Sequence, residues 1–446
     1  MENKNFYRNF FAIFIPLVLQ NVITISVNLA DNIMLGSYSE TALAGAAAVN
    51  QVQFVYSQIV LAFGDALVIL GSQYWGKKRI EPMKKLTSIG IRFELLVWIL
   101  LFTATTFVPI KILEIFTTDG PIVAAGVEYL YVIKFTYLFF AITQLLLAML
   151  RMTEVVKIAL GLSIMTFFVN CGINYVLIFG HFGAPALGIT GAAIGTLTAR
   201  ILETIVVILY IALVNNKLDL RLRDFATFDR LLAKDYIKVA TPMVIVQGLW
   251  GLNTALQTVI LGHMTAAAIA ANSVASNLFM MVKSMIYGAS ATASVIIGRT
   301  IGEGDLKEVM KLSSRLQKMF VVMGILGGII LFIIRVPILN IYALSPETKA
   351  MANSFLIILC FVFVGMSYQM PTNNGIIRGG GSATYILKLD IISIWCIVLP
   401  LSFFMAFVVN ASPLVVLICL NADQFFKGVP AFLMSHYGNW IKKLTR

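Results

Sequence analysis

"IPLVLQNVITISVNLADNIMLG", residues 15–36, and "TPMVIVQGLWGLNTALQTVILG", residues 241–262, decide the fold. Slide the chain along itself until Pro16 meets Pro242, and the two stretches superpose without a gap, Gly36 on Gly262. At the same shift "ETALAGAAAVNQV" (40–52) falls on "AAAIAANSVASNL" (266–278), and Gly76 falls on Gly302. Shifted by one more, Arg151 meets Arg378. The sequence reads as one unit written twice. Both copies are long and apolar enough to span a membrane, since a hydrocarbon core about 30 Å thick takes roughly 20 apolar residues per helix.

Stretches of that kind recur at 10–35, 43–71, 86–110, 122–150, 157–180 and 187–214. A second set lies at 237–262, 267–297, 317–341, 351–377, 384–409 and 412–436, with Asn410–Pro413 the only break between the last two. Helices are expected, because hydrocarbon offers no partner to open backbone groups. Six spans per half preserve orientation, so the halves are predicted to be parallel repeats about an axis along the membrane normal. Transporters place a site between two such bundles and rock one against the other. The predicted fold is an all-α integral membrane protein. Twelve transmembrane helices form two parallel-repeat six-helix bundles around a central cleft. The N-terminal lobe is predicted at 1–214, a cytoplasmic linker at 215–235 and the C-terminal lobe at 236–446.

Composition agrees. Of 446 residues, 59% are hydrophobic and 12% charged, against about 45–50% and about 25% in soluble domains. The net charge of +12 is placed for topology and not for nucleic acid. Loop 76–85, "GKKRIEPMKK", and the stretches 215–238 and 298–318 are rich in Lys and Arg, whereas 36–42, 181–186 and 262–266 have none. That alternation predicts the basic loops and both termini in the cytoplasm of a cell-membrane protein, with attraction to anionic lipid as a secondary effect. The first apolar run is too long for a signal h-region and is expected to stay as the first span. Cys171, Cys360, Cys396 and Cys419 all fall inside spans, without metal-ligand or C-x-x-C spacing, and read as small buried hydrophobes.

The same residues carry a family likeness along nearly the whole chain. They include "PLVLQ" and "ADNIMLG" in span one, "SQYWGKK" after span two, and "NCGINYVLIFG" and "GITGAAIGT" in spans five and six. The second half adds "TPMVIVQGLWGL", "VIIGRTIGEGD", "GIIRGGGSAT" and the closing "DQFFKG" and "NWIKKLTR". The chain resembles the multidrug and toxic compound extrusion (MATE) transporters. That resemblance implies an antiporter that expels organic, often cationic, compounds in exchange for Na⁺ or H⁺.

Asp31 stands inside the apolar first span. A charge at mid-membrane costs at least about 2.5 kcal/mol, so such a residue faces the bundle interior or water and has a partner. Taking a proton or holding a cation lowers the cost, and a group that chooses between proton, ion and cationic substrate couples their binding reciprocally. The resemblance implies partners: in one branch of the family the span-one Asp joins polar residues of spans five and six, here Asn170, Asn174 and Thr196. The two asparagines are four apart and share a helix face, and their amide oxygens with the Thr196 hydroxyl suit a hard cation such as Na⁺. The sequence departs from the archaeal pattern, which has an acid where Asn174 stands. One carboxylate is therefore predicted, with Na⁺ and H⁺ both open as the coupling ion. The bland alternative is a helix-terminal Asp satisfied by its neighbours. In the second half, Gln247 holds a position where some family members carry an acid, "LCFVFVGMSYQMPTNN" holds none, and Asp31 itself meets Gln257. Coupling should be asymmetric, with the first half carrying the charge.

Asp65 either faces the cavity or pairs structurally; Glu94, shortly after Arg92, is expected near the cytoplasmic surface. Lys134 also falls inside a predicted span. Arg200 with Glu203, Lys388 with Asp390, and Asp423 with Lys427 are expected to neutralise one another. Lys283 either faces the cavity, repelling cationic and attracting anionic compounds, or snorkels to the cytoplasmic surface. Candidate cavity residues are Gln20, Asn28, Gln51, Asp65, Gln247, Trp250, Gln257, Met280, Lys283 and Tyr287, with amides to wet a cavity and aromatic and Met surfaces for varied compounds. Pro16 and Pro242 sit early in spans one and seven, where a kink in span one could follow the state of Asp31.

Two other classes compete. A flippase or exporter of lipid-linked or anionic material would use Lys283 and Arg200. A membrane enzyme lacks support: HExxH and G-x-x-x-x-G-K-[ST] are absent, and the three His (181, 263, 436) fall near span ends. No cofactor beyond the coupling ion is expected. Expected partners are small organic substrates and the lipid bilayer, and two bundles in one chain can work as a monomer.

Overall fold

The computed structural model describes residues 3–117, 119–214, 217–218, 220, 222–226, 228–262, 266–340 and 345–445. Among them the regular structure is helical throughout. The first half gives α1 (Asn3–Tyr38), α2 (Glu40–Gly76), α3 (Ile80–Phe107), the short α4 (Pro109–Glu114), α5 (Gly120–Ile133), α6 (Thr136–Met152), α7 (Lys157–Phe179) and α8 (Gly188–Leu213). The second gives α9 (Arg230–Gly262), α10 (Ala266–Glu303), α11 (Leu306–Leu339), α12 (Pro346–Pro371), α13 (Ala383–Asp390), α14 (Leu399–Phe407), α15 (Pro413–Leu420), α16 (Asp423–Phe426) and α17 (Gly428–Tyr437). Ten described helices, some made of joined elements, are long and apolar enough to cross a bilayer, and the bent pair α5–α6 is an eleventh. The helix α9 occupies the place of the seventh span.

The chain packs as two compact units. One contains Ile15–Gly71 and Lys78–Ala240, the other Met1–Phe14, Ser72–Lys77 and Thr241–Arg446. In the first, Leu35, Val49, Tyr56, Leu130, Tyr137, Ile178 and Ala193 share a core. In the second, Leu278, Phe279, Leu331, Phe355, Phe363 and Leu417 do. Bilayers supply little hydrophobic drive between helices, so small residues that admit close backbones matter. A Cβ on Gly327 of α11 would meet the Phe363 ring of α12. The repeat-related Gly76 and Gly302 lie where α2 ends against α10. A Cβ on Gly302 would strike the Gln73 carbonyl, and one on Gly76 the Arg299 carbonyl.

Several predicted spans are interrupted, among them the twelfth, which is split into α15, α16 and α17. Span four bends by 52° between α5 and α6. There the Thr136 hydroxyl donates to the Ile133 carbonyl at 2.6 Å, and the Lys134 ammonium, buried, donates to Thr106 at 3.2 Å and lies 4.7 Å from the Tyr131 ring centroid. Span ten widens into a π-helical turn, Thr372–Ile377, just after Pro371, whose missing N–H and bulky ring disturb the α-ladder. A second π segment, Ile391–Val398, joins α13 to α14.

The described linker residues pack on the start of α3. Ser88 Oγ and Arg92 donate to the Phe225 carbonyl at 3.0 and 2.9 Å, and Lys84 pairs with Asp224 at 3.4 Å. Asp229 opens α9: its carboxylate accepts the Leu232 and Leu231 N–H groups and faces Lys85, and these hold it below the usual carboxylate range. Beyond α17 the chain runs extended as a strap. Trp440 is buried and donates Nε1–H to the Ser435 carbonyl at 2.9 Å; Lys442 N–H donates to the Gly380 carbonyl at 2.8 Å. Gln73 of α2 donates Nε2 to the Lys442 carbonyl at 3.0 Å and accepts the Leu444 N–H at 2.8 Å.

Two expected charge placements are corrected. Asp390 pairs with Lys427 at 2.8 Å, not with Lys388, which is exposed. Glu94 does not lie near a surface. Because α3 starts at Ile80, Glu94 is about four turns inside it. It is 1% exposed, and neither carboxyl oxygen has a hydrogen-bond partner. One turn on, Trp98 Nε1 is likewise unpartnered. A buried polar group left unmatched costs about 1–3 kcal/mol. Glu94→Met, of similar length, should therefore raise the melting temperature of the detergent-purified protein; a fall would show that Glu94 is compensated after all.

Candidate functional site

Helices α1, α7 and α8 meet around Asp31. The spacing of Asn170 and Asn174 puts both on the inner face of α7, where they are 1% and 0% exposed. Asn174 Nδ2 donates to Asp31 Oδ1 at 2.7 Å and to Asn170 Oδ1 at 3.2 Å, and Asn170 Nδ2 donates to Thr196 Oγ1 at 3.2 Å. The structure thus joins all four residues singled out in the sequence into one chain of hydrogen bonds within the first unit. Asp31 itself is half-buried.

Three further residues shape this network, and sequence reasoning missed their part in it. Gly195 leaves the space that Asn174 fills: a Cβ there would collide with Asn174 Oδ1. Tyr129, buried on α5, hydrogen-bonds Thr196. Arg200, ion-paired with Glu203 at 2.7 Å, lies close enough for its charge to act on Asp31. The glycine stood in a quoted motif, "GITGAAIGT", but only the packing of α8 on α7 shows why no side chain fits.

Asn174 offers its N–H to Asp31, and its Oδ1 is buried with no partner. Turning the amide over exchanges donor and acceptor. The carboxylate, the Asn174 and Asn170 oxygens and the Thr196 hydroxyl then present an all-oxygen set of the kind hard cations take. With the amide as it stands, the carboxylate instead accepts the Asn174 N–H. Among the described residues no group of three His, Cys, Asp or Glu is placed to hold a metal.

The remaining candidates separate into distinct places. Asp65 accepts from Arg151 at 2.8 Å, which makes it a paired carboxylate. Arg151 lines a small pocket with Gln20, Gln144 and Gly64. Asn28 and Gln51 are exposed, and Gln247 is half-exposed on α9. In the second unit Lys283 lies 5.6 Å from the Trp250 ring centroid and 5.5 Å from that of Tyr287. Met280 is exposed beside them on α10, while Gln257 donates to Asn253 at 3.4 Å on α9.

The second unit also holds a buried polar chain. Lys427 bridges Asp390 and Asp423, at 2.8 and 3.0 Å. Gln424 donates to Asp423 and accepts from Gln369 at 2.7 Å, and Gln369 accepts from Asn373 at 3.1 Å. It ties spans ten, eleven and twelve together.

A family sequence profile described as MatE matches residues 16–176 and again residues 242–404. The two matches begin at Pro16 and Pro242, the pair that the internal repeat superposes. This chain belongs to the MatE family. The "Probable multidrug resistance protein NorM" of Thermotoga maritima is 25% identical over 97% of this chain and 93% of its own length. The "Uncharacterized transporter YisQ" of Bacillus subtilis is 20% identical over 97% and 95%. Among solved structures, a MOP superfamily transporter from Pyrococcus furiosus superposes with a TM-score of 0.86 at 16% identity, over 96% of this chain and 94% of that one. A mutant of a Vibrio cholerae MATE transporter does so at 0.87 and 17%, over 98% of each. The expected family and fold are borne out: the chain is a multi-pass membrane transporter with the twelve-helix, two-lobe MATE architecture.

Proposed function

We propose that this chain is a cation-coupled antiporter that exports organic compounds by alternating access, with Asp31, Asn170, Asn174 and Thr196 as its coupling site. The observation that carries the reading is the buried Asn174 amide, bonded to Asp31 through nitrogen and unpartnered at oxygen. It lets a single carboxylate exchange a proton or Na⁺ for hydrogen bonds without rebuilding the helices. Multidrug-resistance relatives and family membership support export as the direction of transport. The basic stretches 76–85, 215–238 and 298–318 support cytoplasmic loops and termini in a cell membrane. We take the working unit to be the monomer, lodged in the bilayer, with no cofactor besides the coupling ion. One group, Lys283 over the Trp250 and Tyr287 rings, bears against a purely cationic substrate class.

The test is reconstitution. Purified protein in vesicles should move an ethidium-like dye when an inward Na⁺ or H⁺ gradient is imposed, and replacing Na⁺ by K⁺ at fixed pH tells the two apart. Dye movement indifferent to both gradients would sink the antiport reading. Gly195→Ala adds a finer check. Displacing a positioning partner of this kind costs about 10–100-fold in ion affinity, so the variant should fold normally yet need roughly tenfold more ion for half-maximal export.

A further inference from the structure

The exposed faces of two neighbouring spans differ in kind. On α11 the exposed side is Val322, Ile325, Leu326, Ile329 and Ile333, the aliphatic surface that lipid tails favour. On α10 the exposed positions Ser273, Ser276 and Asn277 are polar, and the same stripe continues through Met280 to Lys283 and Tyr287. Hydroxyls, an amide and an ammonium are costly against hydrocarbon, which sets this face of α10 apart from the lipid-facing side of α11, although Met280 and Met281 are exposed on it too.

Lys283 stands in that stripe with its ammonium over the rings of Trp250 and Tyr287, at 5.6 and 5.5 Å. Among the described residues no carboxylate pairs with it. Ring faces attract a cation but replace a counter-ion only in part. The arrangement is not part of the repeated framework. The shift that lays Pro16 on Pro242 puts Ser57 where Lys283 stands, Leu61 where Tyr287 stands and Thr24 where Trp250 stands. The same shift puts Asp31 on Gln257. Each half thus carries its own charge, of opposite sign, at a position where the other half is neutral.

We propose that Lys283, Trp250 and Tyr287 form an anion-binding subsite that takes the carboxylate of an aromatic organic acid or zwitterion. The carboxylate pairs with the ammonium on its open side, and the aromatic body lies along Trp250, Tyr287 and the soft surface of Met280. A purely cationic compound gains nothing there. The inference rests on the reading of this chain as an exporter of organic compounds and narrows the substrate class.

The test uses the purified full-length protein and three radiolabelled probes of one shape: 2-naphthoate, 2-naphthylmethanol and 2-naphthylmethylammonium. Wild type should bind 2-naphthoate most tightly. Lys283→Met should weaken that binding tenfold or more and leave the other two within about twofold, while Lys283→Arg retains it. Melting temperatures of all variants confirm that they fold. Unchanged 2-naphthoate binding in Lys283→Met means that Lys283 only snorkels, and overturns the proposal. Equal loss of all three probes, or no binding of naphthoate by wild type, overturns it as well. Asp31→Asn separates the two ideas. Ion-driven dye export that survives Asp31→Asn removes Asp31 from the coupling, while a naphthoate preference abolished by Lys283→Met still upholds the subsite.

Discussion

Asp31→Asn abolishes ion-driven export while the protein still folds and reaches the membrane. The substitution preserves shape and leaves an oxygen to accept the Asn174 N–H, now 2.7 Å from Asp31 Oδ1, so the hydrogen-bonded chain through Asn170 to Thr196 can persist. What it removes is the capacity to bind a proton or a cation. Coupling between two ligands is a free energy shared by both, typically 5–150-fold in affinity, and it should fall to about unity in the variant. In cells stripped of their own efflux pumps, dye resistance should drop to the level of cells without the transporter. In vesicles the imposed gradient should cease to drive dye movement, while dye still binds. Resistance equal to wild type would remove Asp31 from the mechanism, whatever the fold.

The largest effect on stability is expected at Lys427. Its side chain and that of Asp423 are each 5% exposed, with Asp390 on the other side. Lys427→Met strands two carboxylates in an apolar interior. Removing one partner of a buried ion pair costs about 3–5 kcal/mol, a large share of the 5–15 kcal/mol that holds a domain together. The variant should be scarce in membranes and should melt far below wild type after extraction. Adding Asp390→Asn and Asp423→Asn to it removes the unpaired charges and should restore much of the loss. If Lys427→Met melts within a degree of wild type, water reaches the cluster and it holds nothing together.

What could be read from the sequence followed the physics of a single solvent. Hydrocarbon imposes helices of set length, so the spans were legible from apolar runs, and the doubled pattern beginning at Pro16 and Pro242 gave the two lobes. The break at Lys134 and Phe135 was not legible, because no Pro or Gly marks it; the Thr136 hydroxyl caps the Ile133 carbonyl freed there. Glu94 was misplaced because hydropathy starts the span late, whereas the helix begins at Ile80. The Asp390–Lys427 pair joins residues 37 apart, and sequence rules for charge pairs reach only one helical turn. At the coupling site, the polar residues were visible as chemistry. Gly195 and Tyr129 act through packing and a cross-helix bond, and no local pattern announces either.

The strap after α17 bears on how the protein is made. Gln73 leaves the ribosome early, yet its two backbone partners, Lys442 and Leu444, lie 369 and 371 residues further along. Until those partners emerge, the end of α2 and the Trp440 cradle stay unsealed. Products of premature termination therefore lack this closure and leave the Gln73 amide and the Gly380 carbonyl without these partners. A bulky fusion placed close behind Leu444 should disturb the same seam.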